Sequence, residues 1–243
     1  MVYLPILTYH RLLKESPRVA MDPKRISVSQ AQFHAHLAWL ARQGYKTISL
    51  DAYVQLLRGG GQPFRKTFAI TFDDGYEEVL TLALPVLQKF GFTATVFAVS
   101  GQLGGTNQWD DGRARLLSAE QYRTLQKAGI TIGAHTSGHV HLTQANLVIA
   151  KQQITESKVL LENSLNQPVP LFAYPYGETN STVEAMVKEA GFTAAFATDR
   201  APRQHSANLY RLRRVVVFPR TNVWELWCKV QPWYPAYQDW KRS

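Results

Sequence analysis

Two adjacent carboxylates, Asp73 and Asp74, follow the apolar, β-prone run 68–72, and Gly75-Tyr76 come directly after them. The run reads as a buried strand that delivers both acids to its C-terminal end. Side chains alternate along a strand, but the backbone bends at a turn, so the two acids can reach one site from different directions and hold different roles. An Asp-Asp-Gly by itself more often starts a turn and caps a helix. The segment His135-Thr136-Ser137-Gly138-His139 shifts that balance. One carboxylate with two imidazoles is a common catalytic zinc set, three protein ligands that leave a position for water. Asp74, His135 and His139 supply such a set, although a histidine pair alone is more often structural. The two histidines are four residues apart, so a helical turn eased by Gly138 would send both rings to one side. His141 follows by two and is expected to point elsewhere, in a surface or supporting role. Hydrolysis at a metal also needs a base for the water and an acid for the leaving group. Asp73 is the candidate base and His10 the candidate acid.

The elements that must position these groups are announced by a repeated phrase. Helix-like segments end in Gly44, Gly91, Gly129 and Gly191, each followed by an apolar residue and a β-prone run. Glycine past a helix end takes the left-handed conformation, and the next apolar residue packs back as a strand begins. Helix starts are read at Ser118 with Gln121, at Thr143 before a long segment to about Asn166, and at Ser181 with Glu184. Strands are expected at 6–9, 46–50, 68–72, 93–99, 130–134, 171–173, 193–198 and 212–217. Such alternation predicts an α/β chain, a single domain over 1–243 with about seven or eight parallel strands closed as a (β/α) barrel. Barrels gather functional groups at the C-terminal ends of their strands. At those ends stand His10, Asp73, Asp74, His135 and Tyr174-Pro175-Tyr176-Gly177. The connections 11–27 and 101–112 read as rim loops, the second with Trp109 exposed. Gly59-Gly60-Gly61 reads as a turn at the opposite end, since no Lys-Ser/Thr follows to make a phosphate loop. The tail 224–240, rich in Trp, Tyr and Pro, is expected to form a final helix and an irregular extension across the barrel.

At 243 residues and 45% hydrophobic content the chain can bury a sizeable core. The net charge of +9 invites a nucleic-acid reading, but the basic residues are scattered, which argues against it. A solvated basic surface is expected instead; its densest cluster is Arg211, Arg213 and Arg214, and an anionic envelope surface is one partner such a field could take. The one cysteine, Cys228, excludes an intrachain disulfide and reads as a buried thiol. No apolar run reaches the roughly 18 residues a membrane helix needs. The N-terminus has no signal-peptide pattern, so the expectation is a cytoplasmic protein, or an envelope or secreted one whose leader preceded this numbering.

Thr71-Phe72-Asp73-Asp74-Gly75 and His135-Thr136-Ser137-Gly138-His139 resemble the first two motifs of the polysaccharide deacetylases of carbohydrate esterase family four, the NodB-homology domain. The resemblance spans nearly the whole chain. It implies a distorted barrel, a divalent metal that is usually zinc, and removal of acetyl from N-acetyl sugars. It makes Asp73 the base, Asp74, His135 and His139 the metal ligands, and Thr136 a support for the histidine loop. Two departures stand out. The family's third motif reads Arg-x-Pro-Tyr, where this chain has Tyr174-Pro175-Tyr176, so the arginine that steadies the base must come from elsewhere, and Arg214 is the candidate. Tyr176 is retained, and in relatives its backbone N–H polarises the acetyl carbonyl. The late Leu-x-His motif is missing. Leu7-Thr8-Tyr9-His10-Arg11 is similar instead to the poly-N-acetylglucosamine deacetylase subgroup with permuted motifs, whose acid histidine comes from the first strand. Tyr174, Pro175 and Trp109 are read as substrate-binding. The expected cofactor is zinc or another divalent transition metal, and the expected substrate a carbohydrate polymer or oligosaccharide. The acetylated glycan stays open among poly-N-acetylglucosamine, chitin-like, peptidoglycan and lipid-linked forms. A barrel that binds carbohydrate without turnover and a metal phosphatase are the competing readings.

Overall fold

Alternating apolar residues that must be buried on both faces dictate a sheet covered outside by helices and filled inside by side chains. The computed structural model, which describes residues 4–15, 26–198 and 208–242, has that form. Its strands are β1 (Ile6–Tyr9), β2 (Arg11–Leu13), β3 (Ser27–Ser29), β4 (Lys46–Thr47), β5 (Thr67–Phe72), β6 (Thr95–Ala98), β7 (Thr131–Ala134), β8 (Leu171–Ala173), β9 (Ala194–Ala197), β10 (Leu212–Arg213) and β11 (Val215–Val216). The main sheet runs β10-β9-β8-β7-β6-β5-β1-β11, with β4 beside the start of β5, and its pairs are parallel. β10 and β11 are consecutive in the chain, separated by Arg214 alone. One short stretch therefore pairs with β9 on one side and with β1 on the other, and the barrel closes through it.

Helices α1 (Gln30–Arg42), α2 (Leu50–Arg58), α3 (Leu84–Phe90), α4 (Ala119–Lys127), α5 (Leu147–Leu165), α6 (Ser181–Glu189), α7 (Val223–Lys229) and α8 (Tyr234–Arg242) complete the chain. Period-two alternation splits the strands into two cores. Leu7, Tyr9, Phe68, Ile70, Phe72, Phe172 and Tyr174 pack outward against helix residues such as Phe33, Leu125 and Ile154. Ile6, Ala69, Phe97, Leu171, Ala173 and Phe196 fill the interior together with Leu50, Tyr53 and Val54 of α2. Each fully buried Leu, Ile or Phe among them contributes about 1.5–3 kcal/mol. The interior is tight: a Cβ on Gly133 would lie 2.5 Å from the Phe97 ring. Arg58 Nη2 donates to the Thr193 carbonyl, 2.9 Å away at the entry to β9, which ties α2 to the end of the barrel opposite the strand C-termini.

The helix-ending glycines behave as expected, with φ of 77°, 64°, 83° and 82° at Gly44, Gly91, Gly129 and Gly191. Ser118 and Gln121 form the expected capping box. Other expectations need correction. The long helix is capped by Asn146 rather than Thr143, and α6 by Asn180 rather than Ser181, because in each case the asparagine oxygen takes the free backbone N–H. The strand expected over 46–50 stops at Thr47, since Ser49 caps α2. The strand expected over 212–217 is broken at Arg214, which turns inward. The connection 11–27 is not loop throughout: its two ends pair as β2 and β3, while 16–25 lie outside the described residues. The tail forms two helices, α7 and α8, instead of one and an extension, and Cys228 is half-buried rather than buried. The arginine cluster makes no open basic patch. Arg211 pairs with Glu184, Arg213 with Asp239 and Arg214 with Asp73, so its charge is spent within the fold. Among the described residues no helix is long and apolar enough to cross a membrane.

Candidate active site

Strand parity brings three of the site's side chains into the barrel mouth. Ile6 and Ala69 belong to the interior core, so counting by two along β1 and β5 places His10 and Asp73 on the same inner side. Gly133, against the interior Phe97, does the same for His135 after β7. Asp74 is out of phase with this count and should face the helices. It reaches the mouth because its backbone is left-handed, φ 70°, ahead of Gly75 at φ 74°. Gly75 has no room for a side chain, since a Cβ there would lie 1.9 Å from the Tyr122 hydroxyl.

The histidine loop is not the helical turn the spacing suggests. Thr136 and His139 both have left-handed backbones, φ 63° and 57°, and the Thr136 hydroxyl accepts the His139 N–H at 2.9 Å. Gly138 N–H donates to Gln153 of α5 at 2.7 Å, which fastens the loop to the outer layer. Of six non-glycine residues with left-handed φ among the described residues, Asp74, Thr136, His139 and Tyr176 surround this one site. Such conformations cost about 1–3 kcal/mol each and persist where the surroundings impose them.

Asp74, His135 and His139 are buried, and one ligand atom from each lies within 4.8 Å of the others. Asp74 Oδ1 is 3.4 Å from His135 Nε2 and 3.1 Å from His139 Nε2. His135 Nδ1 donates to the Ala173 carbonyl at 2.8 Å, so in the neutral ring Nε2 presents a lone pair toward the carboxylate. Asp74 Oδ1 is itself buried without a hydrogen-bond partner. Converging lone pairs without a donor between them fit a cation, and oxygen and nitrogen donors about 2.0–2.1 Å from a tetrahedral ion stand about 3.3 Å apart. Burial holds the His139 imidazole below its ordinary pKa against the pull of Asp74, which keeps it neutral and able to ligate. Burial pushes the Asp74 carboxyl up, and the imidazoles of His139 and His135, when protonated, outweigh it and hold the group well below the usual range.

Asp73 stands beside this set and takes no part in it. Its oxygens accept from Arg214 Nη1 at 2.6 Å and Nη2 at 2.7 Å, and Arg214 Nη1 also reaches the Thr71 hydroxyl at 3.2 Å. Arg214 is fully buried, which excludes a surface role, and its guanidinium lies 5.1 Å above the Phe97 ring. Burial pushes the Asp73 carboxyl up, yet the Arg214 guanidinium and the nearby imidazoles bring its pKa below the ordinary value. His10 Nε2 is 4.0 Å from Asp73 Oδ2.

These groups line one cavity of about 240 Å³. Trp109 and Tyr176 form part of its wall and hold His139 between them, Trp109 stacked at 4.5 Å and Tyr176 edge-on at 4.8 Å. Trp109 is half-buried rather than exposed, because the loop that carries it is pinned by the bridge of Thr106 to Arg115 and by the buried Asn107, whose Oδ1 accepts the Ala114 N–H. Tyr174 and Pro175 do not reach the cavity wall. Tyr174 falls on the outward side of β8, packs in the outer core and donates its hydroxyl to the Tyr210 carbonyl at 2.7 Å, and Pro175 is buried beside it. The wall also contains Ile26, Tyr76, Asp110, Thr198, Val216 and Phe218, to which the sequence reading assigned no role. Tyr76 had a visible signal, an aromatic directly after the acid turn. Val216 and Phe218 alternate on the closing strand and signal nothing until that strand's partner is known.

Comparison with known proteins shows which family the chain resembles. Residues 60–195 match the family described as polysaccharide deacetylase. The chain is 29% identical over 216 residues to the protein YxkH of Bacillus subtilis, covering 89% of this chain and 72% of that one. It is 25% identical over 228 residues to a poly-beta-1,6-N-acetyl-D-glucosamine N-deacetylase of Staphylococcus aureus, covering 87% and 77%. Among solved structures it resembles the Streptococcus pyogenes deacetylase PplD in complex with acetate, with a TM-score of 0.82, 25% identity and coverage of 95% and 99%.

Proposed function

Because this chain belongs to the polysaccharide deacetylase family, we propose that it hydrolyses N-acetyl groups on an N-acetylglucosamine polysaccharide, with zinc held by Asp74, His135 and His139. The observation that carries this reading is a second buried aspartate, Asp73, clamped by Arg214 beside the metal set and free of it. Relatives named for poly-beta-1,6-N-acetyl-D-glucosamine support the substrate class, and a similar fold in complex with acetate supports the product.

Zinc, or another divalent transition metal in its place, supplies Lewis-acid polarisation and a more acidic water when bound. Asp73 accepts a proton from the attacking water, and Arg214 keeps its carboxylate ionised and aimed. The Tyr176 backbone N–H donates to the oxygen of the acetyl carbonyl as negative charge develops there, a contact worth about 3–4 kcal/mol in comparable sites. His10, whose Nε2 is 4.0 Å from Asp73, delivers a proton to the nitrogen as the C–N bond breaks. The products are acetate and a free amino sugar. Trp109 offers a face for a sugar ring or the acetyl methyl.

We take 1–243 as one catalytic domain. The family match begins at residue 60 and ends at 195, whereas His10 and Arg214 come from β1 and from the break between β10 and β11. Arg214 makes two bonds to the Asp73 carboxylate and His10 stands 4.0 Å from it, which supports reading these strands as part of the same domain. The test is a panel of N-acetyl glycans, poly-N-acetylglucosamine, chitooligosaccharide, peptidoglycan and a lipid-linked amino sugar, scored for released acetate. Acetate from a polymer supports the reading. Turnover of an aryl phosphate with no acetate from any glycan would replace it with a phosphatase.

A further inference from the structure

The third imidazole of the histidine segment, His141, is absent from the metal set and from the cavity wall. Its ring nevertheless lies flat on the Tyr176 ring, with centroids 3.5 Å apart and planes 3° from parallel. Tyr176 is the residue whose backbone must be held in an unfavourable state, φ 60° and ψ 3°, a conformation that costs a non-glycine residue about 1–3 kcal/mol. Its other ring contact is edge-on to His139. The Tyr176 side chain is thus gripped from two directions by the loop after β7, although it belongs to the loop after β8.

His141 does not act here through a hydrogen bond. Its Nδ1 has no hydrogen-bond partner among the described residues, and stands 3.5 Å from Glu178 Oε2. What the residue contributes is a planar face. Glu178, two residues beyond Tyr176, is shared with Thr143, whose hydroxyl lies 3.4 Å from the same oxygen. Both contacts join the segment after β7 to the segment after β8.

We infer that His141 is a positioning residue for the deacetylation reaction: by stacking on Tyr176 it fixes the left-handed backbone that aims the Tyr176 N–H at the acetyl carbonyl. This rests on the role assigned to that N–H above. A merely structural histidine would affect all properties of the fold together. A residue that aims an oxyanion donor affects kcat more than KM, and leaves the metal site intact.

Three proteins decide it: wild type, His141→Ala and His141→Phe, the last keeping a flat ring without nitrogen. Each is assayed for kcat and KM on an N-acetylglucosamine oligomer, for zinc affinity by calorimetry, and for hydrogen exchange of segment 174–178. Loss of a whole oxyanion donor costs about 10²–10³ in kcat, so a misaimed one should cost about tenfold or more. His141→Ala should lower kcat by that factor, with KM and zinc affinity near wild type and exchange in 174–178 about tenfold faster. His141→Phe should restore both kcat and exchange. The inference is overturned if His141→Ala exchanges at the wild-type rate, or if His141→Phe is as impaired as the alanine variant. If wild type releases no acetate, the deacetylase reading fails by itself, and the exchange data still decide whether the His141 stack holds the Tyr176 backbone.

Discussion

Arg214 clasps Asp73 with two parallel bonds, Nη1 to one carboxylate oxygen at 2.6 Å and Nη2 to the other at 2.7 Å, in a pair closed off from solvent. The partners are 141 residues apart. The arginine stands at the one interruption of the strand that closes the barrel, so the ion pair fixes this carboxylate and the fold at once.

Removing one partner of a buried ion pair leaves an uncompensated charge and typically costs about 3–5 kcal/mol. Arg214→Met should lose that much stability and nearly all turnover. Adding Asp73→Asn to it should recover stability while turnover stays lost. Urea unfolding of the two single variants and the double variant checks this. Additive losses in the double variant would mean that the two residues are not coupled.

Asp73 and the metal set should separate cleanly. Asp73→Asn keeps zinc and lowers kcat by about 10²–10⁴, the usual worth of a general base. His139→Ala should lose zinc itself, because only two of the three ligands remain. Zinc content by atomic absorption, measured with kcat on the same samples, distinguishes them. Zinc loss from Asp73→Asn would place that carboxylate among the ligands.

His10→Ala should lower kcat without altering zinc content. The loss should be greater for an amide, whose leaving amine needs a proton, than for an acetate ester of a good leaving group. Equal rates for wild type and His10→Ala on the amide would remove His10 from the mechanism.

How much of this was legible in the sequence depends on which rule governs each residue. His10, Asp73 and His135 obey the two-residue alternation of strands, and their convergence can be counted from apolar neighbours such as Ile6 and Ala69. Asp74 breaks that count through its left-handed backbone. Thr136 and His139 do the same, and nothing in His-Thr-Ser-Gly-His distinguishes their bent loop from a helical turn. The grip of Trp109 on His139 depends on the bridge across the loop from Thr106 to Arg115, which carries no local signal. Tyr174, expected to bind substrate, lies outside the cavity for the opposite reason. Alternation along β8 sends it outward with Phe172, as counting from Leu171 would have shown. Asn146 and Asn180 displaced the expected caps by a few residues, the ordinary uncertainty of helix ends.

A buried histidine far from the chemistry links stability to pH. His36 Nδ1 accepts from the Tyr9 hydroxyl at 3.0 Å, and its Nε2 donates to the Thr221 carbonyl at 2.7 Å. Burial lowers its pKa from 6.5 to about 4, against the opposing hydrogen bond to Thr221 and with help from Lys229. Between those values the unfolded chain binds a proton that the folded one refuses, so stability is fully present above 6.5 and lost as pH falls toward 4. The loss amounts to about 3 kcal/mol from this group. The urea midpoint of wild type should drop over that window relative to His36→Gln. Parallel curves for the two proteins would show that His36 is not the cause.

The central claim is tested most directly by acetate release from a chitooligosaccharide before chelation, after chelation, and after zinc is returned. The account predicts activity, its loss, and its recovery at one zinc per chain, with no recovery in His139→Ala. Full activity in the metal-free protein, or zinc-restored activity in His139→Ala equal to wild type, would contradict it.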